Sequence, residues 1–291
     1  MKKLIYTAIP LLCLIIFAAG CEEYEQQDLK SFRGRAANIL AESLQHKDPR
    51  IRANAAEAVA NSGRIRLMPK VSRLLNDQVM PVRFSAAVAI GDSEYGLAGD
   101  QLNKALKDPD PNVRLAAMYA LMKLGKKDSL AILIKALQSS DLTLRANAAI
   151  LLGKSGNRKA LPYLYEAMKA DDSNHRVKLN SAEAIAVLKD EKIFKKLWTL
   201  IISKFAEYKI TGIRAMGALG TPRARDVLIT MLDDEIPEIR IIAAGQLGLL
   251  GETLGENEVL KVFTTGMTAG MEPEAIERIK VLAAVSVGQI K

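Results

Sequence analysis

The stretch Asp110-Pro111-Asn112-Val113-Arg114-Leu115-Ala116-Ala117-Met118-Tyr119-Ala120-Leu121-Met122-Lys123-Leu124-Gly125 decides the fold. Its aspartate can accept hydrogen bonds from the free N–H groups of a helix start. The proline after it suits the first helical position, where a missing N–H is no loss. Val113, Ala117 and Leu121 then return at helical spacing on one face, and Gly125 suits the left-handed residue that closes a helix.

The phrase recurs from end to end. Its basic member is Arg52, Arg83, Arg114, Arg145, Lys178, Lys209, Arg240 and Lys280, at steps of 31, 31, 31, 33, 31, 31 and 40. An apolar or aromatic residue precedes each (Ile51, Val82, Val113, Leu144, Val177, Tyr208, Ile239, Ile279), and another follows seven positions later. Small pairs between them, such as Ala55-Ala56, Ala86-Ala87 and Ala148-Ala149, allow helices to approach near the lower end of the roughly 8–10 Å axis separation. Gly63, Gly125, Gly156, Gly220 and Gly251 stand eleven places after the basic residue and end the helix. A second amphipathic run, such as 130–137 or 227–232, fills the rest of each repeat. A period of this length means stacked supersecondary units. The expected fold class is therefore all-α, an α-solenoid of about eight helix pairs over residues 30–291.

These residues resemble the HEAT-like repeat family, whose second helix reads Asp-x-x-Val-Arg-x-x-Ala-Ala-x-Ala-Leu-x-x-Leu-Gly; Asp110 to Gly125 is the nearest match. A basic residue in the first turn of a helix opposes the helix dipole, so eight of them need compensating anions. The resemblance implies a ladder in which arginines and aspartates of successive repeats pair. Asp48, Asp110 and Asp141 match the family's position four before the basic residue. Val79, Asn174, Phe205 and Ile236 depart from it, so the ladder is expected to be interrupted there unless Asp77, Asp172 or Asp234 substitutes. The eight basic residues are assigned to structure.

The amino-terminal end reads differently. Lys2 and Lys3 precede the apolar run Leu4 to Ala19, and Ala18-Ala19-Gly20-Cys21 resembles the lipobox of bacterial lipoproteins. That resemblance implies removal of a signal peptide, residues 1–20, and lipid attachment at Cys21. It implies a place in the cell envelope, on the outer membrane facing the periplasm in a Gram-negative cell. The apolar run is short for a span, which needs about 20 residues. Residues 21–29 read as an acidic tether. Setting Lys2 and Lys3 aside lowers the net charge from +8 to +6, and the span from Lys30 to Arg73 alone carries +7.

Groups able to converge for catalysis are few. His46 and His175 fall in the first and fifth repeats, about 30–40 Å apart, and cannot share a metal. There is no glycine-rich phosphate loop, and no pair of carboxylates stands out. No metal, no cofactor and no enzymatic activity are expected. Two HEAT-like families carry chemistry, the bilin-attaching lyases and a class of DNA glycosylases. Both work inside the cell, so the export signal argues against each and against nucleic acid as a partner, leaving a HEAT-like bilin lyase or nucleic-acid-binding protein as a remote alternative.

The expected function is a membrane-anchored scaffold or adaptor that binds protein partners on the concave face of the solenoid. Positions two, five and nine after the basic residue face that side, among them Asn54, Glu57, Asn147, Asn180 and Glu183, with Tyr119, Lys123, Lys154 and Arg214 as candidate partner-binding residues. The alternative is a membrane-surface module that sets Arg64, Arg66, Lys70 and Arg73 on anionic headgroups. Phe194, Trp198, Phe205 and Tyr208 of the sixth repeat read as core packing. The apolar end Val281 to Val287 is expected to meet a partner, or to be covered by the insertion that holds Gly266 and Gly270.

Overall fold

The computed structural model describes residues 31–126, 128–264 and 272–289. The lipobox-like segment with Cys21, the acidic tether and the Gly266–Gly270 insertion lie outside them. Among the described residues the chain is helical, with sixteen α-helices in eight pairs. The first helices of the pairs are α1 (31–43), α3 (Met68–Arg73), α5 (Gly99–Ala105), α7 (Leu130–Leu137), α9 (Leu161–Lys169), α11 (Phe194–Ile201), α13 (Pro222–Thr230) and α15 (Glu256–Thr264). The second helices are α2 (Pro49–Asn61), α4 (Met80–Asp92), α6 (Pro111–Lys123), α8 (Leu142–Lys154), α10 (His175–Val187), α12 (Ala206–Leu219), α14 (Pro237–Leu249) and α16 (Pro273–Gln289). Each even-numbered helix packs on the next, forming an inner layer backed by the odd-numbered ones.

Local chemistry sets both ends of the inner helices. Asp48, Asp110 and Asp141 cap α2, α6 and α8 by accepting the N–H of Arg50, Asn112 and Thr143. At the other end the residue eleven after the basic one is left-handed in seven successive repeats. Glycine supplies it at 63, 125, 156, 220 and 251, and Glu94 and Lys189 adopt it at φ 47° and 59°.

The basic residues pair with an acid other than the one the family pattern implies. Arg52 grips Asp77 with Nε and Nη2 at 2.8 and 2.9 Å, and Arg83 grips Asp108 in the same way at 2.8 and 3.1 Å. Arg145 donates to Asp172 at 2.8 Å, Lys209 to Asp234 at 2.5 Å, and Arg240 to Glu258 at 3.0 Å. Each of these aspartates lies six residues before the next basic position. The aspartates four before it are occupied in capping their own helices. Arg52, Arg83, Arg114 and Arg240 also donate Nη1 to the carbonyls six and five residues upstream, as Arg83 does to Asp77 and Gln78 at 2.9 and 3.2 Å. Lys280 is turned to Glu277 of its own helix.

The solenoid closes on itself. Helix α16 packs against α2, and Val281, Leu282 and Val285 face Ile51 and Ala58 across a cavity of about 160 Å³. In the outer layer Phe32 of α1 meets Phe263 of α15 with ring centres 5.8 Å apart. Arg35 lies over both rings and donates Nη2 to the Phe263 carbonyl at 2.8 Å. The apolar carboxy-terminal end is therefore covered by the first repeat of the same chain, which corrects the expectation of a partner there. No helix among the described residues is long and apolar enough to cross a membrane.

Candidate functional site

Closing the ring turns the concave face into a central cavity of about 600 Å³. Its wall is built mainly from the columns two, five and nine residues after the basic positions of α2, α4, α8, α10, α12 and α14, which point inward because positions −1, +3, +4 and +7 are committed to the core. The apolar part of the wall includes Phe84, Val88, Ile150, Val187 and Leu249. The charged part is Glu57, Asp92, Lys154, Arg176, Glu183 and Arg214. Three acids and three bases from six places in the sequence thus meet in one space.

Lys154 is anchored most firmly. Its Nζ donates to Asp92 Oδ2 at 2.7 Å, while the other oxygen of Asp92 accepts the Tyr119 hydroxyl at 2.5 Å. Burial alone would lower the ammonium pKa, but Asp92, Glu57 and Glu183 together hold it above its ordinary value. Tyr119 is pushed up strongly, by burial first and then by Asp92. Its hydroxyl stays a donor.

Glu57 and Glu183 are driven apart. Burial would raise Glu57, and Arg214, Lys154 and a hydrogen bond from Asn61 outweigh it, so its carboxyl lies below 4.5. For Glu183 burial wins: Arg214 opposes it, Glu57 reinforces it, Lys154 opposes it, and the carboxyl lies above 4.5. Two carboxylates whose surroundings separate their proton affinities suit acid and base roles. Arg214 feels both glutamates without an ion pair within 4.0 Å to either among the described residues. Arg176 stands exposed at the rim.

The structure places the sequence candidates unevenly. Lys154 and Arg214 line the cavity, as do Glu57, Asn147, Asn180 and Glu183; Asn54 lines the smaller one beside it. Tyr119, expected on the open face, is fully buried and acts through Asp92. Lys123 is outside the cavity wall, 3.8 Å from Glu94. Arg64, Arg66, Lys70 and Arg73 lie in and just before α3, in the outer layer. Trp198 and Phe205, read as core, are exposed at 43% and 56%. Sequence reading missed Glu57 with Glu183 as a pair, and it missed Asp92 and Arg176. The signal that could have found the pair was the fifth-position column, where Glu57, Glu183 and Arg214 are the charged members.

Comparison with known proteins gives these repeats a family. HEAT repeats match residues 82–144, 99–186 and 132–204, and the PBS lyase HEAT-like repeat matches 210–234. The helix pairs are HEAT repeats. An uncharacterized phycocyanin operon protein Z of Pseudanabaena tenuis is 31% identical over 105 residues, 33% of this chain and 51% of that protein. The chain thus spans about half the length of this curated relative. Among solved structures, the complex of CpcE and CpcF of phycocyanin lyase from Nostoc matches with 19% identity and a TM-score of 0.48, covering 83% of this chain and 92% of that one. Human deoxyhypusine hydroxylase matches with 18% identity and a TM-score of 0.42, covering 79% and 89%. The PBS lyase repeat and the phycocyanin operon relative correct two expectations. A PBS lyase HEAT-like repeat in this chain and a relative from a phycocyanin operon run against the membrane-tethered scaffold with its membrane-surface alternative and against the expected absence of an enzyme-like role.

Proposed function

We propose that the chain is a bilin-lyase-like HEAT protein whose central cavity holds an open-chain tetrapyrrole or a ligand of the same chemistry, partly apolar and carrying carboxylates. The observation that carries this reading is the cavity of about 600 Å³, with a partly apolar wall and two arginines, Arg176 and Arg214, not committed to a close ion pair. Guanidinium forks suit carboxylates, and a charge-assisted hydrogen bond contributes roughly 1.5–3 kcal/mol. The segment matched to the PBS lyase repeat includes Thr211, Arg214 and Ala218, all of which line this cavity. Glu183, which keeps its proton to higher pH than an ordinary glutamate, is the group placed to donate one, and Glu57 the group placed to accept one.

Titrating the purified full chain with biliverdin tests the reading through the visible absorbance of the pigment. Saturable binding is expected, weakened about tenfold or more by Arg214→Ala, and by Arg176→Ala at unchanged melting temperature. No binding, or equal binding by the protein carrying both Arg176→Ala and Arg214→Ala, contradicts it. For location, the proposal is lipid attachment at Cys21, supported by Ala18-Ala19-Gly20-Cys21; the likeness to the lyases then concerns the cavity and its ligand, not the intracellular setting in which those enzymes work. Cys21→Ser should then abolish incorporation of a labelled fatty acid, and undiminished labelling would contradict it.

A further inference from the structure

The sixth repeat departs from the others in a single loop. Between α11 and α12, Ser203 stands in the column where Asp77, Asp108, Asp172 and Asp234 stand, and Phe205 stands where Asp48, Asp110 and Asp141 cap. Helix α12 accordingly starts without a side-chain cap, a loss of about 1 kcal/mol. Lys178 is left with a longer-range attraction to Asp172 in place of a rung. One loop has given up two aspartates, and what it presents instead is apolar surface.

Trp198, Ile202 and Phe205 are 43%, 65% and 56% exposed. Trp198 and Ile202 are one helical turn apart, and Phe205 is fixed edge-on against Tyr208 with ring centres 5.6 Å apart. Lys192, Lys195, Lys196 and Lys204 are exposed around them, and Lys204 Nζ lies 5.2 Å from the Phe205 ring centre. None of the four forms an ion pair with a described carboxylate. Asp190, which accepts the Lys192 N–H, Glu191 and Glu207 flank the patch with opposite charge. An aromatic centre with a charged rim has the anatomy of a protein interface.

We infer that this patch docks an acidic amphipathic segment of a protein partner, its apolar side chains on Trp198, Ile202 and Phe205 and its carboxylates among Lys195, Lys196 and Lys204. The four uncompensated lysines select an acidic occupant. The patch lies on α11 and the loop that leads into α12 and shares no residue with the cavity, so it stands apart from the ligand reading.

Trp198 is the single tryptophan of the chain and reports on its own surface. The full chain is titrated with a synthetic amphipathic helix of leucine and glutamate, and separately with its leucine–lysine counterpart and with phosphatidylglycerol vesicles. The expected result is a saturable blue shift of Trp198 emission with the leucine–glutamate helix. It should weaken about tenfold in the triple variant Lys195→Glu, Lys196→Glu, Lys204→Glu and in Ile202→Glu, with helical content and biliverdin response unchanged. No shift, an equal shift with the leucine–lysine helix or the triple variant, or a shift with vesicles alone would overturn the proposal; the last would point to a lipid surface.

Discussion

The joint between α4 and α6 and the joint between α6 and α8 use the same kind of helix and are held in different ways. At the first, Arg83 and Asp108 form a two-armed rung, and Gly91 lets α6 come so close that a Cβ there would lie 2.8 Å from Ala120 Cα. At the second there is no rung, because Ser139 occupies the aspartate column and Arg114 keeps only the Asp108 and Pro109 carbonyls at 2.7 and 2.8 Å. In the column of Gly91 and Gly153, α6 carries Met122, and α6 and α8 share the fewest close approaches of the inner layer. Polar side chains span the difference. Asn147 donates to Asn112 at 2.9 Å, and Lys154 reaches past α6 to Asp92 on α4. Where packing is loose, the cavity's own charges do the joining, so the stability of the ring and the electrostatics of its site depend on the same residues.

The largest expected effect comes from carrying the loose joint's residue to the tight one. Gly91→Met forces a side chain into backbone at van der Waals contact and should cost about 3 kcal/mol, seen as a melting temperature lower by roughly 6–12 °C. A change under two degrees would show that the close approach at Gly91 is not structural.

Next in size is the contrast between rungs. Arg83→Ala strands the largely buried Asp108 and should cost about 2–3 kcal/mol, while Arg114→Ala, which loses only carbonyl contacts, should cost about 1. The contrast should depend on pH with a definite sign. Burial would raise the Asp108 carboxyl, but the hydrogen bonds from Arg83 and from the Asp110 N–H hold it below 3.8. A depressed carboxylate contributes stability above its unfolded value of 3.8 and loses it as pH falls through the folded value. Melting curves of the two variants should therefore differ at neutral pH and converge in strong acid. Equal losses at neutral pH would remove the distinction between the joints.

Much of the fold was legible because a HEAT repeat is local: the basic column, Asp110 before Pro111 and the left-handed glycines each specify a helix boundary within a few residues. The rung partners were legible in part, Asp77, Asp172 and Asp234 as substitutes but not Asp108, because capping and pairing both ask for aspartate, and spacing alone does not tell Asp110, which caps, from Asp108, which pairs. Ring closure was not legible at all. It depends on small rotations summed over eight repeats, and the contact between Phe32 and Phe263 leaves no local periodicity. Without closure Glu57, Glu183 and Arg214 are isolated charges on distant helices. The same ambiguity misread Tyr119: the fifth position points inward, yet here the side chain lies flat between helices and reaches the cavity only through Asp92.

The claim that the cavity's charges hold the loose joint is tested most directly by amide hydrogen exchange on the full chain carrying Lys154→Met. Amides of α6 and α8 should lose protection while those of α2, α12 and α14 keep theirs, since the variant removes the span from α8 to Asp92 and leaves the tight joints intact. Unchanged protection in α6 and α8, or a loss spread evenly around the ring, would contradict the account.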